Sequence, residues 1–285
     1  MDFKQLYSDK FTISFEIFPP KTESGEINLF SELRSMVTYK PGFISVTYGA
    51  GGSTRDKTIE LALKIRDKFD ITPLVHFTCV GAGKNEIEEY LQYVDKLGLN
   101  NILALRGDVP AGEKEFSKPE NGFSYANELV EFIKSIGSFS IAVAGYPEKH
   151  AEADSFEMDI DNLKKKIDAG GEVIITQLFL ANEAFYRYSD MVKRAGINVP
   201  VIPGIMPLTN ARQIERMVDL SGAGIPGALK SILDKCSSDN EILEAGIEFA
   251  VRQCDELIKF GVPGFHFYPL NKSEAVSKIL DILKL

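Results

Sequence analysis

Ile102-Leu103-Ala104-Leu105-Arg106-Gly107-Asp108 is a four-residue apolar run that breaks off into a cation, a glycine and an acid. A run this short suits a strand buried on both faces of a parallel sheet. Its last residues are costly to bury without partners. The same pattern recurs along the chain. Thr12-Ile13-Ser14-Phe15 runs into Glu16, Phe43-Ile44-Ser45-Val46 into Thr47-Tyr48, and Leu74-Val75 into His76. Ile141-Ala142-Val143 leads to Tyr146, Val173-Ile174-Ile175-Thr176 to Gln177, and Phe265-His266-Phe267-Tyr268 to Asn271. Strand starts fall near residues 12, 43, 73, 101, 140, 173, 200 and 264. Most are about 30 residues apart, the length of one strand-plus-helix unit. Eight such units predict an α/β protein with a (β/α)8 TIM barrel. The polar strand ends then converge on the mouth where such barrels carry their active sites.

Helix signals fill the intervals. Ser53-Thr54-Arg55-Asp56 reads as a capping box, Asn85 with Glu88 opens a second helix, and Ser124 and Asn240 precede two more. Gly98, Gly137, Gly170, Gly196 and Gly261 each follow a helical pattern and precede a strand, as left-handed helix ends do. The long last interval predicts two helices, roughly 210–220 and 240–260, joined by a Gly-rich connection, so the barrel has an extra helix between its last two strands. A final helix is expected near 273–284, and Ala111 to Gly122 reads as a long loop over the mouth. No linker divides the chain, and residues 1–285 read as one domain.

The formal charge is −9 and no basic stripe appears, which excludes nucleic acid as a main partner. Cys79, Cys236 and Cys254 form no zinc or CxxC pattern, and reduced thiols in the cytoplasm account for them. The N-terminus lacks a signal-peptide stretch, and no segment is long and apolar enough for a membrane span. Lys164-Lys165-Lys166 lie in a helical pattern beside Asp159, Asp161 and Asp168, the pattern of a solvated face.

Gly222-Ala223-Gly224-Ile225-Pro226-Gly227 spells GxGxxG, but it follows a helix and Pro226 interrupts the helix a dinucleotide site needs. Gly49-Ala50-Gly51-Gly52-Ser53 either cradles a phosphate with its amides or is a flexible turn. Glu16, flanked by aromatic residues, is expected to have a raised pKa suited to a general acid; the alternative is an ion pair with an arginine at the rim. Arg106 and Asp108 either pair with each other or, with Gly107 between them, receive a flat ligand. His76, His150 and His266 lie in separate units without metal-ligand spacing, and no metal site is expected. Tyr48, Tyr146, Phe179 and Tyr268 offer ring-stacking surfaces or packing.

Seven segments together resemble the short bacterial form of the methylenetetrahydrofolate reductase family. They are Ser14–Pro20, Val46–Ala50, Ala104–Pro110, Gly145–His150, Ile175–Phe179, Ile202–Pro207 and Phe265–Asn271, in the family's order over nearly the whole chain. The resemblance implies an FAD-bearing barrel that reduces 5,10-methylenetetrahydrofolate to 5-methyltetrahydrofolate with NADH or NADPH, in ping-pong turns, for one-carbon metabolism and methionine supply. It implies a homo-oligomer, and some relatives work within larger assemblies with a partner subunit.

By the same resemblance Glu16 is the general acid and Asp108 the carboxylate near flavin and pterin. Gln177 hydrogen-bonds folate, and Lys272 stands where an arginine can meet its tail. Thr47, His76, Leu105, Arg106, Gly107, Asp108, Tyr125, Ala126, Tyr146, His150, Ala153, Asp159, Asn162, Lys165 and Lys166 match positions that hold FAD. Ala211 stands where relatives can carry a phenylalanine. Two rival readings stay open: a flavin-free barrel lyase using Glu16 and Asp108, and a non-catalytic folate-binding barrel.

Overall fold

The computed structural model describes residues 1–48, 55–107, 121–214 and 225–285. Eight parallel strands close into one barrel in chain order. They are β1 (Thr12–Ile17), β2 (Phe43–Val46), β3 (Pro73–Thr78), β4 (Asn101–Leu105), β5 (Ser140–Gly145), β6 (Val173–Leu178), β7 (Val201–Ile205) and β8 (Gly264–Phe267). Every strand starts within a residue of its expected place.

The outer ring contains α2 (Glu23–Met36), α3 (Arg55–Phe69), α4 (Lys84–Lys96), α5 (Ala126–Ile136), α6 (Phe156–Asp168) and α7 (Asn182–Arg194). Residues 211–214 are helical, and α8 (Gly227–Leu233), α9 (Asp239–Phe260) and α10 (Glu274–Leu283) complete the chain.

Strand parity divides the interior from the ring. Ile13, Phe15 and Ile17 join Ile44, Val46, Val75 and Phe77 in the core between strands and helices. Phe43, Leu74, Leu103, Ala142, Val173, Ile175 and Ile202 fill the lower barrel instead. There they meet Phe3 and Tyr7 of α1 (Phe3–Asp9), a helix the sequence reading did not anticipate. At 7 residues it is too short to show a helical period. It is held by burial of Phe3 and by Asp2, whose carboxylate accepts from the Gln5 N–H at 3.0 Å.

Other local expectations shift. Gly98, Gly170, Gly196 and Gly261 adopt the left-handed conformation, whereas Gly137 is extended. Helix α4 starts after Gly83 with no side-chain cap, so Asn85 lies inside it. Tyr125, not Ser124, is the N-cap of α5. Ser238 caps α9, two residues before Asn240. The Gly-rich connection carries α8, which follows Pro226. The Gly49–Ser53 loop, residues 111–120 of the expected lid, Gly222 and Gly224 lie outside the described residues.

Candidate active site

The strand register assembles the site. Ser14 of β1 pairs with His266 of β8, and Glu16 pairs with Ser45 of β2. All four side chains share the interior parity, above the apolar lower layer. Glu16 Oε2 lies 3.3 Å from His76 Nε2 and 3.8 Å from His266 Nε2. The His76 nitrogen lacks the alignment of a hydrogen bond. His266 Nδ1 is 2.8 Å from Ser14 Oγ, which donates to the Phe265 carbonyl at 3.2 Å.

Glu16 and His76 of this cluster line a cavity of about 350 Å³ at the C-terminal ends of the strands, and Ser14, Ser45 and His266 are fully buried. Glu16, Thr47, His76, Leu105, Arg106, Gly107, Tyr146, His150 and Gln177 line it, all expected from the sequence. Thr78, Ala144, Leu103 and Ile175 also line it and were not expected. Strand parity alone marks them: each lies on an interior position two residues from another lining residue or a lower-layer residue.

Burial is the largest influence on the Glu16 carboxyl and raises its pKa. Attraction to His76 and the hydrogen bond and charge of His266 outweigh it, so the net direction is down. The expectation of a raised value fails because two imidazoles from distant units face the carboxyl. Burial holds the His76 imidazole below its usual range, against the pull of Glu16.

Gly107 lines the cavity and packs its backbone against Val80 and Thr78. Its φ is +96°, and a Cβ there would lie 2.5 Å from Val80 and 2.9 Å from Thr78. Nearby, the buried Thr78 Oγ1 has no hydrogen-bond partner among the described residues. Arg106 forms a bidentate pair with Glu152, whose N–H donates to His150 Nδ1 at 3.1 Å. The Tyr146 and His150 rings meet edge to face at 4.7 Å. Tyr48, held by a hydrogen bond from Arg55, and Tyr268, which donates to the Thr176 carbonyl at 2.7 Å, face the same space. Phe179 does not: it is buried against Phe185.

The other expected residues extend from one rim. Asp159 is buried and accepts from the His150 N–H at 3.2 Å. Lys166 reaches inward from α6 to donate to the Ala144 carbonyl at 2.6 Å, and its charge lies 5.6 Å from the Tyr146 ring. Burial pushes its ammonium down to about 8, with Asp159 opposing. Lys165 donates to exposed Asn162 at 3.0 Å, Ala153 is buried, and Tyr125 is exposed with Ala126 behind it. Lys164 keeps to the solvated face with Lys165, and pairs with Asp168 at 2.8 Å. Lys272 and Ala211 are exposed, and Asp108 lies outside the described residues.

Fold and site define a (β/α)8 barrel protein with a polar ligand cavity at the C-terminal ends of its strands. The methylenetetrahydrofolate reductase family model matches residues 3–284, and the chain belongs to that family. Methylenetetrahydrofolate reductase (NADH) 1 of Arabidopsis thaliana is 39% identical over 284 residues, covering 95% of this chain and 48% of the relative. The chain thus spans about half the length of the plant relatives it matches. The 5,10-methylenetetrahydrofolate reductase of Escherichia coli (strain K12) is 38% identical over 263 residues, covering 92% of this chain and 87% of that protein. A Clostridium thermocellum protein described as binding two copies of 5-methyl-5,6,7,8-tetrahydrofolic acid shares the fold. Its TM-score is 0.68 at 19% identity, with 98% of each chain covered.

Proposed function

We propose that the protein reduces 5,10-methylenetetrahydrofolate to 5-methyltetrahydrofolate, using NADH or NADPH and FAD in ping-pong turns. The observation that carries this reading is the meeting of Glu16 and Gln177 in one cavity with Thr47, His76, Leu105, Arg106, Gly107, Tyr146 and His150. Family membership over residues 3–284 supports it.

The residues fit a flavin. The cavity reaches the Gly107 backbone, and the unpaired Thr78 hydroxyl beside it can meet the polar edge of a flat ring. Arg106, His150, Lys165 and Lys166 offer positive charge and N–H donors for a pyrophosphate. Tyr125, Ala126, Ala153, Asp159 and Asn162 continue that side toward the nucleotide. FAD, when bound, supplies the two-electron carrier between nicotinamide and folate.

The chain's own groups do the rest. Glu16 delivers a proton to the folate ring nitrogen as the five-membered ring opens, Gln177 orients the pterin through its amide, and Asp108 contacts the same ring. Lys272 meets the acidic folate tail as a point charge. A cavity of about 350 Å³ lies within the usual range of small-molecule pockets. Reduced thiols at Cys79, Cys236 and Cys254 agree with a cytoplasmic setting. No helix among the described residues is long and apolar enough to cross a membrane. A homo-oligomer, with or without a partner subunit, belongs to the same proposal.

Purified protein should carry a flavin spectrum that bleaches with NADH or NADPH and returns on adding methylenetetrahydrofolate. A colourless protein that refuses FAD on reconstitution would overturn the reading and favour a flavin-free barrel.

A further inference from the structure

We propose that Asn271 is a positioning residue for folate, whose side chain fixes where Lys272 presents its charge at the barrel mouth. The inference rests on the reading of Lys272 as the group that meets the acidic folate tail.

The first and last strands separate at their upper ends. Pairing of β1 with β8 stops at Phe15 and Phe267, while β1 runs on beside β2 through Ile17 and Val46. Tyr268 turns its N–H to the Ile205 carbonyl of β7 at 2.8 Å, and Pro269 has no N–H to give. Neither residue after β8 can therefore donate to Phe18. The Asn271 amide takes that place. Its Oδ1 accepts from the Phe18 N–H at 3.0 Å, and its Nδ2 donates to the Phe18 carbonyl at 2.8 Å.

The turn that makes this contact is strained. Leu270 and Asn271 have φ of +52° and +60°, two consecutive left-handed residues without a glycine. Asparagine enters that region readily and leucine does not. Leu270 is also 41% exposed, so burial of its side chain does not offset the cost. Strain kept in such a turn points to a function for it.

What the clamp holds follows from what is already fixed. β1 is in register with β2 as far as Ile17, so Glu16 keeps its place without Asn271. The partner that needs holding is the turn. Lys272 follows the clamp directly, with its N–H on the Pro269 carbonyl at 3.0 Å. Ser273 comes next, and the Glu32 carboxylate accepts from its N–H at 2.7 Å and its hydroxyl at 2.5 Å. Lys272 thus stands between two anchored neighbours. It is exposed, and its ammonium has no ion-pair partner among the described residues. A cation fixed at its base loses less freedom on meeting an anion than one on a mobile turn. Asn271 then sets the span between Glu16 at the pterin and Lys272 at the tail.

The test uses the flavin-loaded full chain as wild type, Asn271→Gly, Lys272→Met and the double variant. Glycine removes the amide yet takes the positive φ without strain, so the fold is kept. Titration calorimetry compares 5-methyltetrahydrofolate with its diamide, in which both tail carboxylates are blocked. Wild type should bind the diacid about tenfold more tightly than the diamide. Each single variant should lose most of that preference and keep diamide affinity within about twofold, and the double variant should lose no more. A preference kept in Asn271→Gly, or losses that multiply in the double variant, overturns the proposal. So does an equal fall for both ligands, because a turn that merely stabilises the barrel would not tell them apart. A preference kept in Lys272→Met means that the lysine does not read the tail, and the positioning role falls with it. Wild type that binds neither ligand sinks the proposed function itself.

Steady-state kinetics supply the second arm. Asn271→Gly should raise KM for methylenetetrahydrofolate about tenfold with kcat within about twofold of wild type. A fall in kcat at unchanged KM would tie Asn271 to the proton step at Glu16 instead, and counts against the proposal.

Discussion

The lower and upper ends of the barrel interior are built from the same strands two residues apart, yet they do different work. Phe43 lies below Ser45 and Thr47, Leu74 below His76 and Thr78, Val173 and Ile175 below Gln177. The lower layer is apolar and sealed by Phe3 and Tyr7 of α1. The upper layer carries polar groups, of which His76 Nε2 and Thr78 Oγ1 have no hydrogen-bond partner among the described residues. One end supplies burial energy, and that end anchors the strands on which the other can hold Glu16 against two imidazoles.

Substitutions at the two ends should separate these roles. The largest effect expected is from Glu16→Gln. Reoxidation of reduced flavin by methylenetetrahydrofolate should slow by about 10²- to 10⁴-fold, while flavin reduction by nicotinamide stays near wild type. Stopped-flow measurement of the two half-reactions decides this, and equal losses would erase the special status of the upper layer.

Phe3→Ala should do the reverse. Loss of a fully buried ring should cost about 3–5 kcal/mol in urea denaturation while the folded fraction keeps both half-reaction rates. Changed rates without lost stability would break the division between the ends.

Gly107→Ala tests the boundary. The positive φ and the close approach to Val80 and Thr78 should cost about 1–3 kcal/mol and weaken FAD affinity, read by calorimetric titration of the apoprotein. Unchanged affinity would mean that the packing of Gly107 against Val80 and Thr78 does not shape the ligand site.

Lys166→Met sharpens the contrast by the smallest amount. Its folded pKa of about 8 lies below the ordinary lysine value, so the buried charge opposes folding at low pH and is relieved as pH rises through 8 toward the unfolded value. The variant should be stabilised by on the order of 1 kcal/mol at pH 6.5, discounted for partial exposure, and by less at pH 9. Denaturation midpoints at the two pH values check the sign. A midpoint difference independent of pH would remove Lys166 from the electrostatics of the mouth.

Much of the site was legible because barrel strands repeat one local grammar. Nine of the expected ligand-facing residues line the cavity, and all but His150 stand at or just past the end of an apolar run. What escaped the reading shared another trait. The placing of His266 rests on a partner 252 positions away, at the seam where β1 meets β8. Phe179 carries the same aromatic signal as Tyr146, and only the packing of Phe185 shows that it is core. Lys166 and Lys164 are two residues apart on one helix, and rotation of the helix face alone separates an inward cation from a solvated one.

Sequence alone determined the strands, the order of the units, most of the left-handed helix ends and the place of Glu16 at the end of its strand. These depend on side-chain period and on local backbone preference, which neighbouring residues carry. Tertiary structure decided that the Glu16 carboxyl is drawn down rather than pushed up, that two imidazoles face it, and that Phe3 plugs the opposite end. Those outcomes depend on closing the ring: the β1–β8 register sets Ser14 beside His266, and no local preference encodes a distance between the first strand and the last.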